Sequence, residues 1–128
     1  MIQKGTFLKV CDNSGAKIAY CIHNISKPTS KYAFIGDIVL VSIKQLNVRR
    51  RFAAKIKKGA LAYALIVRSK VIKKFFYGDM IKFYETAAIL FFRKTYKLIG
   101  TRVIGFVPIL FRHSQFLRIL SISAGVAH

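Results

Sequence analysis

Cations dominate the residues that could do chemistry. Lys44, Arg49, Arg50, Arg51, Lys55, Lys57, Lys58, Arg68, Lys70, Lys73 and Lys74 fall in one stretch that holds no carboxylate. A second group, Arg93, Lys94, Lys97 and Arg102, follows it. Ammonium and guanidinium groups placed this densely neutralise phosphates and release their counterions. Neutralising about 8 phosphates would lower affinity roughly 10⁴-fold between 50 and 200 mM salt. Over 128 residues the chain carries 23 Lys+Arg against 4 Asp+Glu, a net charge of +19. Such a chain repels itself when compact. A surface kept charged only for solubility mixes both signs. The balance therefore points to a polyanion, either nucleic acid or an anionic membrane surface. Aromatics stand beside the charge: Phe52, Phe75, Phe76, Tyr77, Phe91, Phe92 and Tyr96. Exposed aromatics stack on unpaired bases. Phe91 and Phe92 are read instead as core filler or as contact with a neighbouring protein. Phe75, Phe76 and Tyr77 crowd a hairpin tip and cannot all be core, so they are assigned to an RNA or protein interface.

Acid–base and nucleophilic chemistry has little to work with. The carboxylates are Asp12, Asp37, Asp79 and Glu85, and three of them stand beside turn glycines, where a structural role is the default. His23 and Cys21 share a strand face at i, i+2, but no further group converges on them. No phosphate-binding loop, dinucleotide fingerprint or metal motif is present. Cys11 and Cys21 are too far apart for a zinc-type pair. They read as two buried thiols, with a disulfide left open. The chain is read as a non-enzyme that needs no cofactor and no metal.

These groups need a scaffold, and its pattern is mostly β. Hydrophobic residues make up 54% of the chain, which excludes disorder. There is no uninterrupted apolar run of membrane-spanning length. Met1-Ile2-Gln3-Lys4-Gly5 lacks a signal-peptide core, so no leader is expected. Thr6 to Val10 and Lys17 to His23 alternate, and Asp12-Asn13-Ser14-Gly15 forms a turn between them. Ile35-Gly36-Asp37 precedes a buried strand at Ile38 to Ile43. Gln45 to Gly59 is a long basic connection. Ala60 to Val67 is a strand with a possible extension through Lys74, and Tyr77-Gly78-Asp79 is a hairpin tip. Met80 to Tyr84, Ala87 to Phe92 and Val103 to Val107 complete the strands, and the basic loop Arg93 to Thr101 separates the last two. Pro108 suits the start of a helical turn, and one or two short helices fit Ile109 to Leu120.

The expected fold is all-β with a small α appendix: a five-stranded closed β-barrel, a protruding β-ribbon and one or two short C-terminal helices. A single domain covers 1–128. Its barrel spans about 1–105, with the ribbon at about 68–84 and a helical region at about 106–128.

Several motifs in this order carry a family resemblance. They are Met1-Ile2-Gln3, Asp12-Asn13-Ser14-Gly15-Ala16-Lys17, Cys21-Ile22, Tyr32-Ala33, Gly36-Asp37, Lys57-Lys58-Gly59 and Ala64-Leu65-Ile66-Val67-Arg68-Ser69-Lys70. Gly78, Phe83, Thr86, Ile89-Leu90, Ile99-Gly100-Thr101-Arg102, Gly105, Arg112, Phe116 and Ser121 continue it. The chain resembles the universal large-subunit ribosomal protein fourteen family in its bacterial and organellar form, almost collinearly from Met1 to Ala127. It departs from the family pattern at Val48, at the ribbon tip Phe76-Tyr77-Gly78, and at Phe92-Arg93-Lys94. Further departures are Phe106 and Leu110, and the loop at Val48 to Lys55 is about four residues longer than the family's.

The resemblance implies a structural constituent of the large ribosomal subunit near the intersubunit face. It implies binding to large-subunit rRNA, a bridge to small-subunit rRNA, and contact with neighbouring proteins including ribosomal protein nineteen. A ribosome-silencing factor docks on family members; the C-terminal departures weaken that role here. Many Phe, Tyr, Ile and Lys with no Trp suggest an AT-rich genome. The expected location is therefore a mitochondrial ribosome in the matrix, with a plastid or bacterial ribosome as the alternative. Two rival readings remain. A free single-strand RNA-binding barrel of chaperone type would need an aromatic platform on a strand face. A peripheral membrane protein would need a basic amphipathic helix, and no membrane partner is expected.

Overall fold

The computed structural model describes residues 2–47, 54–74, 78, 80–113 and 116–127. Strand β1 (Phe7–Val10) alternates as its sequence dictates: Leu8 and Val10 are buried, and Phe7 and Lys9 face outward. β2 (Ala16–Asn24) turns Ala19 and Cys21 inward, leaving Ile18, Tyr20 and Ile22 half-buried on the other side. β3 (Ile38–Leu46) buries Val39, Val41 and Ile43 and leaves Ile38, Leu40 and Ser42 half-covered. β4 (Leu61–Arg68) and β7 (Ala87–Phe91) are buried on nearly every residue. Their unbroken apolar runs fit strands covered on both faces.

The strands close into a barrel in the order β1-β2-β3-β4-β7. Neighbours run antiparallel except β1 and β7, which close it in parallel with Lys9 opposite Ala87. Leu8, Val39, Val41, Ile43, Leu65, Ile66, Ile89 and Leu90 are almost wholly buried in the core. The ribbon is a two-stranded antiparallel pair, β5 (Lys73–Lys74) and β6 (Met80–Ile81). The expected extension of β4 through Lys74 is interrupted. β4 ends at Arg68, and the Ser69 hydroxyl accepts the Val71 N–H at 3.2 Å, a local turn that competes with the ladder.

The C-terminal part differs from the expected helical region. β8 (Val103–Pro108) extends to Pro108, and a 3-10 turn (Ile109–His113) and α1 (Leu117–Ile122) follow. The chain then returns to strand as β9 (Ser123–Ala127), parallel to β8. Ser-Ala-Gly-Val-Ala carries little strand propensity of its own, so the pairing with β8 decides its state. Among the described residues no helix is long and apolar enough to cross a membrane.

Strand direction sorts the connections into two sets. β1, β3 and β7 finish at the barrel end where β2 and β4 begin, so residues 11–15, 47, 54–60 and 92–102 emerge there. The β2–β3 connection and the ribbon passage after Arg68 leave from the other end.

Candidate nucleic-acid interface

The first end is organised by the Asp12-Asn13-Ser14-Gly15 turn. Asp12 is 6% exposed. Its carboxylate accepts the Ser14 N–H at 3.2 Å, the Ser14 hydroxyl at 2.6 Å and the Leu90 N–H at 3.1 Å. Burial pushes the carboxyl above its ordinary range, and the bonds from Ser14 and Leu90 oppose that shift. Asn13 reaches across to the third connection. Its Oδ1 accepts the N–H groups of Thr101 at 2.6 Å and Arg102 at 3.0 Å, and its Nδ2 donates to the Thr101 hydroxyl at 2.8 Å.

The same turn holds the second connection by its backbone. The Ser14 carbonyl accepts the Lys55 N–H, and the Gly15 carbonyl accepts the Asn47 N–H, both at 2.8 Å. Gly15 has φ +97°, and a Cβ there would meet the Ala54 Cβ at 2.6 Å. Only glycine allows both the backbone shape and the close approach. One four-residue turn therefore fixes the roots of both long basic connections.

On this frame Lys55, Lys57, Lys58, Arg93, Lys94, Lys97 and Arg102 are all exposed. Lys44, near the end of β3, is exposed and lies over the Tyr20 ring at 5.2 Å from the centroid. The expected sites Arg49, Arg50 and Arg51 lie outside the described residues, as do Phe75, Phe76 and Tyr77.

The other end carries the ribbon cations. Lys70 and Lys74 are exposed, and Lys73 is placed in β5. Arg68 differs from them. It is 7% exposed and its guanidinium pairs with Glu85 at 3.2 Å. Glu85 also accepts from the Lys9 ammonium at 2.9 Å. Lys9 and Arg68 together hold the Glu85 carboxyl below its ordinary range, the Lys9 hydrogen bond most strongly, against a smaller opposing effect of burial. Gly105 on β8, at φ +90°, leaves the space that a Cβ would take from the Arg68 guanidinium. Arg68 thus sits between barrel, ribbon root and β8, committed to an internal ion pair in this chain.

The cysteines are free and buried. Cys11 donates to the Ala88 carbonyl at 3.4 Å. Burial pushes its thiol up to about 12, against the opposing pull of the Arg68 guanidinium. Burial also raises the Cys21 thiol. Thiolates so disfavoured are poor nucleophiles, which removes chemical force from the His23–Cys21 pair.

Sequence reasoning missed two kinds of residue. Asn13 was read as a turn former, and nothing local in the sequence announces its partners near residue 101. Lys9, Lys17 and Arg118 are exposed cations outside the dense basic stretches. Phe92 and Tyr96 are 46% and 55% exposed, so of the two readings given for Phe92 the core one fails and contact with a neighbour is the one left, whereas Phe91 is buried.

A protein 40% identical over 123 residues, covering 96% of this chain and 97% of its own length, is the large ribosomal subunit protein uL14 of Carsonella ruddii (strain PV). The family model described as ribosomal protein L14p/L23e matches residues 1–127. Matched over nearly its whole length by both, the chain belongs to the ribosomal protein L14p/L23e family.

Proposed function

We propose that this chain binds large-subunit rRNA through the basic connections at the clamped end of the barrel and through its ribbon. Membership of the family makes it a structural, non-enzymatic protein of the large ribosomal subunit. One observation carries the rRNA reading. The Asp12-Asn13-Ser14-Gly15 turn holds the roots of two connections that carry exposed cations, and none of the chain's acidic residues falls in 44–74 or 86–128. Rigid roots with basic side chains reach phosphates without the cost of ordering a loop on binding. The exposed Lys55, Lys57, Lys58, Arg93, Lys94, Lys97 and Arg102 contact phosphates, with Arg49, Arg50 and Arg51 on the same connection. Lys44, Lys70, Lys73 and Lys74 extend the contact area. Arg68 serves it indirectly, by fixing the ribbon root.

The finer placement follows the family resemblance. The chain lies near the intersubunit face, bridges to small-subunit rRNA and touches ribosomal protein nineteen. Phe7, Ile104 and Phe106, each about 60% exposed, supply apolar surface that a neighbouring protein would cover. The compartment is proposed as the mitochondrial matrix on composition, and the Carsonella relative is equally consistent with a bacterial ribosome.

Sucrose-gradient sedimentation of mitochondrial and cytosolic lysates, at high and low magnesium, tests all of this. The protein is expected with the large subunit when subunits separate and with the monosome when they join. If it sediments free of ribosomes but bound to small RNA, the chaperone-type reading replaces this one.

A further inference from the structure

A groove of about 540 Å³ runs between the 92–97 loop and α1. Phe91 and Ile119 form its buried floor, and Tyr96, Lys97, Phe116 and Arg118 form its walls. Tyr96 is half-exposed, and its ring is backed by Tyr63 at 5.3 Å between centroids. Phe116 packs on Phe91 at 5.8 Å. Lys97 and Arg118 are exposed at the rim, Arg93 and Lys94 stand on the same loop, and no acidic residue lines the groove.

The loop is held in an unfavourable shape. Tyr96 has φ 55°, the only positive value at a non-glycine among the described residues. A bulky residue seldom adopts that backbone. The Tyr96 N–H donates to the Phe92 carbonyl, and the Phe92 N–H donates to the Lys97 carbonyl, both at 2.9 Å. Two hydrogen bonds therefore keep an aromatic ring at a groove wall in a conformation that asparagine or glycine would adopt more easily. Strain of this kind gathers at ligand-binding sites.

We propose that this groove takes one unstacked nucleotide of single-stranded RNA, its base against Tyr96 and Phe116 and its phosphate between Lys97 and Arg118. The volume lies within the range of small-ligand sites. Aromatic walls with cationic rims are the pattern by which unpaired bases are held. An apolar peptide would satisfy the floor but would leave the cations without partners. The inference rests on the rRNA reading and makes it specific: the chain would hold a splayed-out base as well as phosphates.

Two measurements test it. Ultraviolet crosslinking of intact large subunits, followed by peptide mass mapping, should place a nucleotide adduct on Tyr96 or Phe116. Fluorescence anisotropy of the full chain with a ten-nucleotide oligouridine should show Tyr96→Ala weakening binding about tenfold and Tyr96→Phe leaving it near wild type. The Tyr96→Ala effect should disappear with a fully abasic oligomer of equal charge. Lys97→Gln should lower the salt slope by about 1. Arg118→Gln should lower it similarly, and it stands in as the second variant if Tyr96→Ala does not fold. If Tyr96→Ala binds oligouridine as wild type does, the proposal is overturned, even though the protein still sediments with the large subunit. A crosslink from Tyr96 to a neighbouring protein overturns it as well and makes the groove a protein contact. Failure of the protein to enter the large subunit would instead overturn the rRNA reading itself.

Discussion

The two ends of the barrel hold basic segments by opposite means. At the clamped end, Asp12 and Asn13 bond backbone N–H groups and neighbouring hydroxyls, and no cation takes part. At the ribbon end, Arg68, Glu85 and Lys9 form a charged triad under β8. Among the described residues, the first arrangement ties none of the exposed cations Lys55, Lys57, Lys58, Arg93, Lys94, Lys97 and Arg102 into an ion pair. The second consumes one cation, Arg68, to fix the geometry of those that follow. A strongly basic protein with few acids cannot staple all its loops with ion pairs. At the clamped end it uses hydrogen bonds from backbone N–H groups and hydroxyls to Asp12 and Asn13, and it sets Glu85 where a buried guanidinium demands a counter-charge.

The sharpest break should come at Asp12. Asp12→Ala strips the acceptor from the Leu90 and Ser14 N–H groups inside the barrel wall. Each buried donor left unpaired costs about 1–3 kcal/mol, so the loss should reach about 3 kcal/mol or more in a urea titration. Asn13→Ala should cost less, about 1–2 kcal/mol, because its partners border solvent. Hydrogen exchange should then speed up at Thr101 and Arg102. If both variants unfold at the wild-type urea midpoint, the clamp does not hold that end.

Gly105→Ala attacks the other end by steric means. The new methyl would occupy the Arg68 guanidinium position at a backbone φ of +90°. Overpacking and left-handed strain together should cost about 2–3 kcal/mol. In an Arg68→Ala background the same change should cost only the backbone part, about 1 kcal/mol. Equal costs in both backgrounds would show that Arg68 does not fill the space beside Gly105.

How far the sequence revealed these two ends differs for physical reasons. Alternation, turn residues and the apolar runs of β4 and β7 are local signals, and from them the five barrel strands were legible. The turn at Asp12 was legible as a turn, but the grip of Asn13 on residues 88 and 89 positions further along the chain was not. Hydrogen bonds across that distance leave no periodicity behind. Arg68 read as one more cation in a basic run, because nothing before folding says that Glu85 and Gly105 will enclose it. β9 was missed because its partner β8 supplies the reason for it to be a strand. The exposed Phe92 and Tyr96 were visible as aromatics, but the tight loop that turns them outward was not.

Acidity should separate the ends, because their carboxyls shift in opposite directions. Glu85 is lowered from its ordinary 4.5, so its contribution is whole above about that pH and is lost as pH falls through the folded value. Asp12 is raised from its ordinary 3.8, so its contribution is whole below that pH and is lost as pH rises through the folded value. Glu85→Gln leaves Arg68 buried beside a neutral amide. It should destabilise by about 1–2 kcal/mol at pH 7, less than for a fully enclosed pair because the Glu85 side chain is 40% exposed. That difference should shrink toward pH 3. Asp12→Asn should show the reverse trend, with its deficit against wild type growing as the pH is lowered. Parallel pH profiles for the two variants would mean that the ends do not use different electrostatics.

Lys9 provides the finest distinction within the charged end. Its ammonium and the carboxylate it meets are 62% and 40% exposed, whereas the Arg68 side chain in the same triad is 9% exposed. An ion pair open to water gains little after screening and side-chain ordering. Lys9→Gln should therefore cost under about 1 kcal/mol in low salt, and nothing measurable at about 1 M salt, where charges are screened within about 3 Å. The Arg68–Glu85 contact should keep most of its worth under the same conditions, because burial protects it. Thermal unfolding of Lys9→Gln and Glu85→Gln across a salt series reads both at once. If the two deficits fade together, Arg68 is as solvated as Lys9, and the ribbon root is held by packing against β8 instead of by its buried charge.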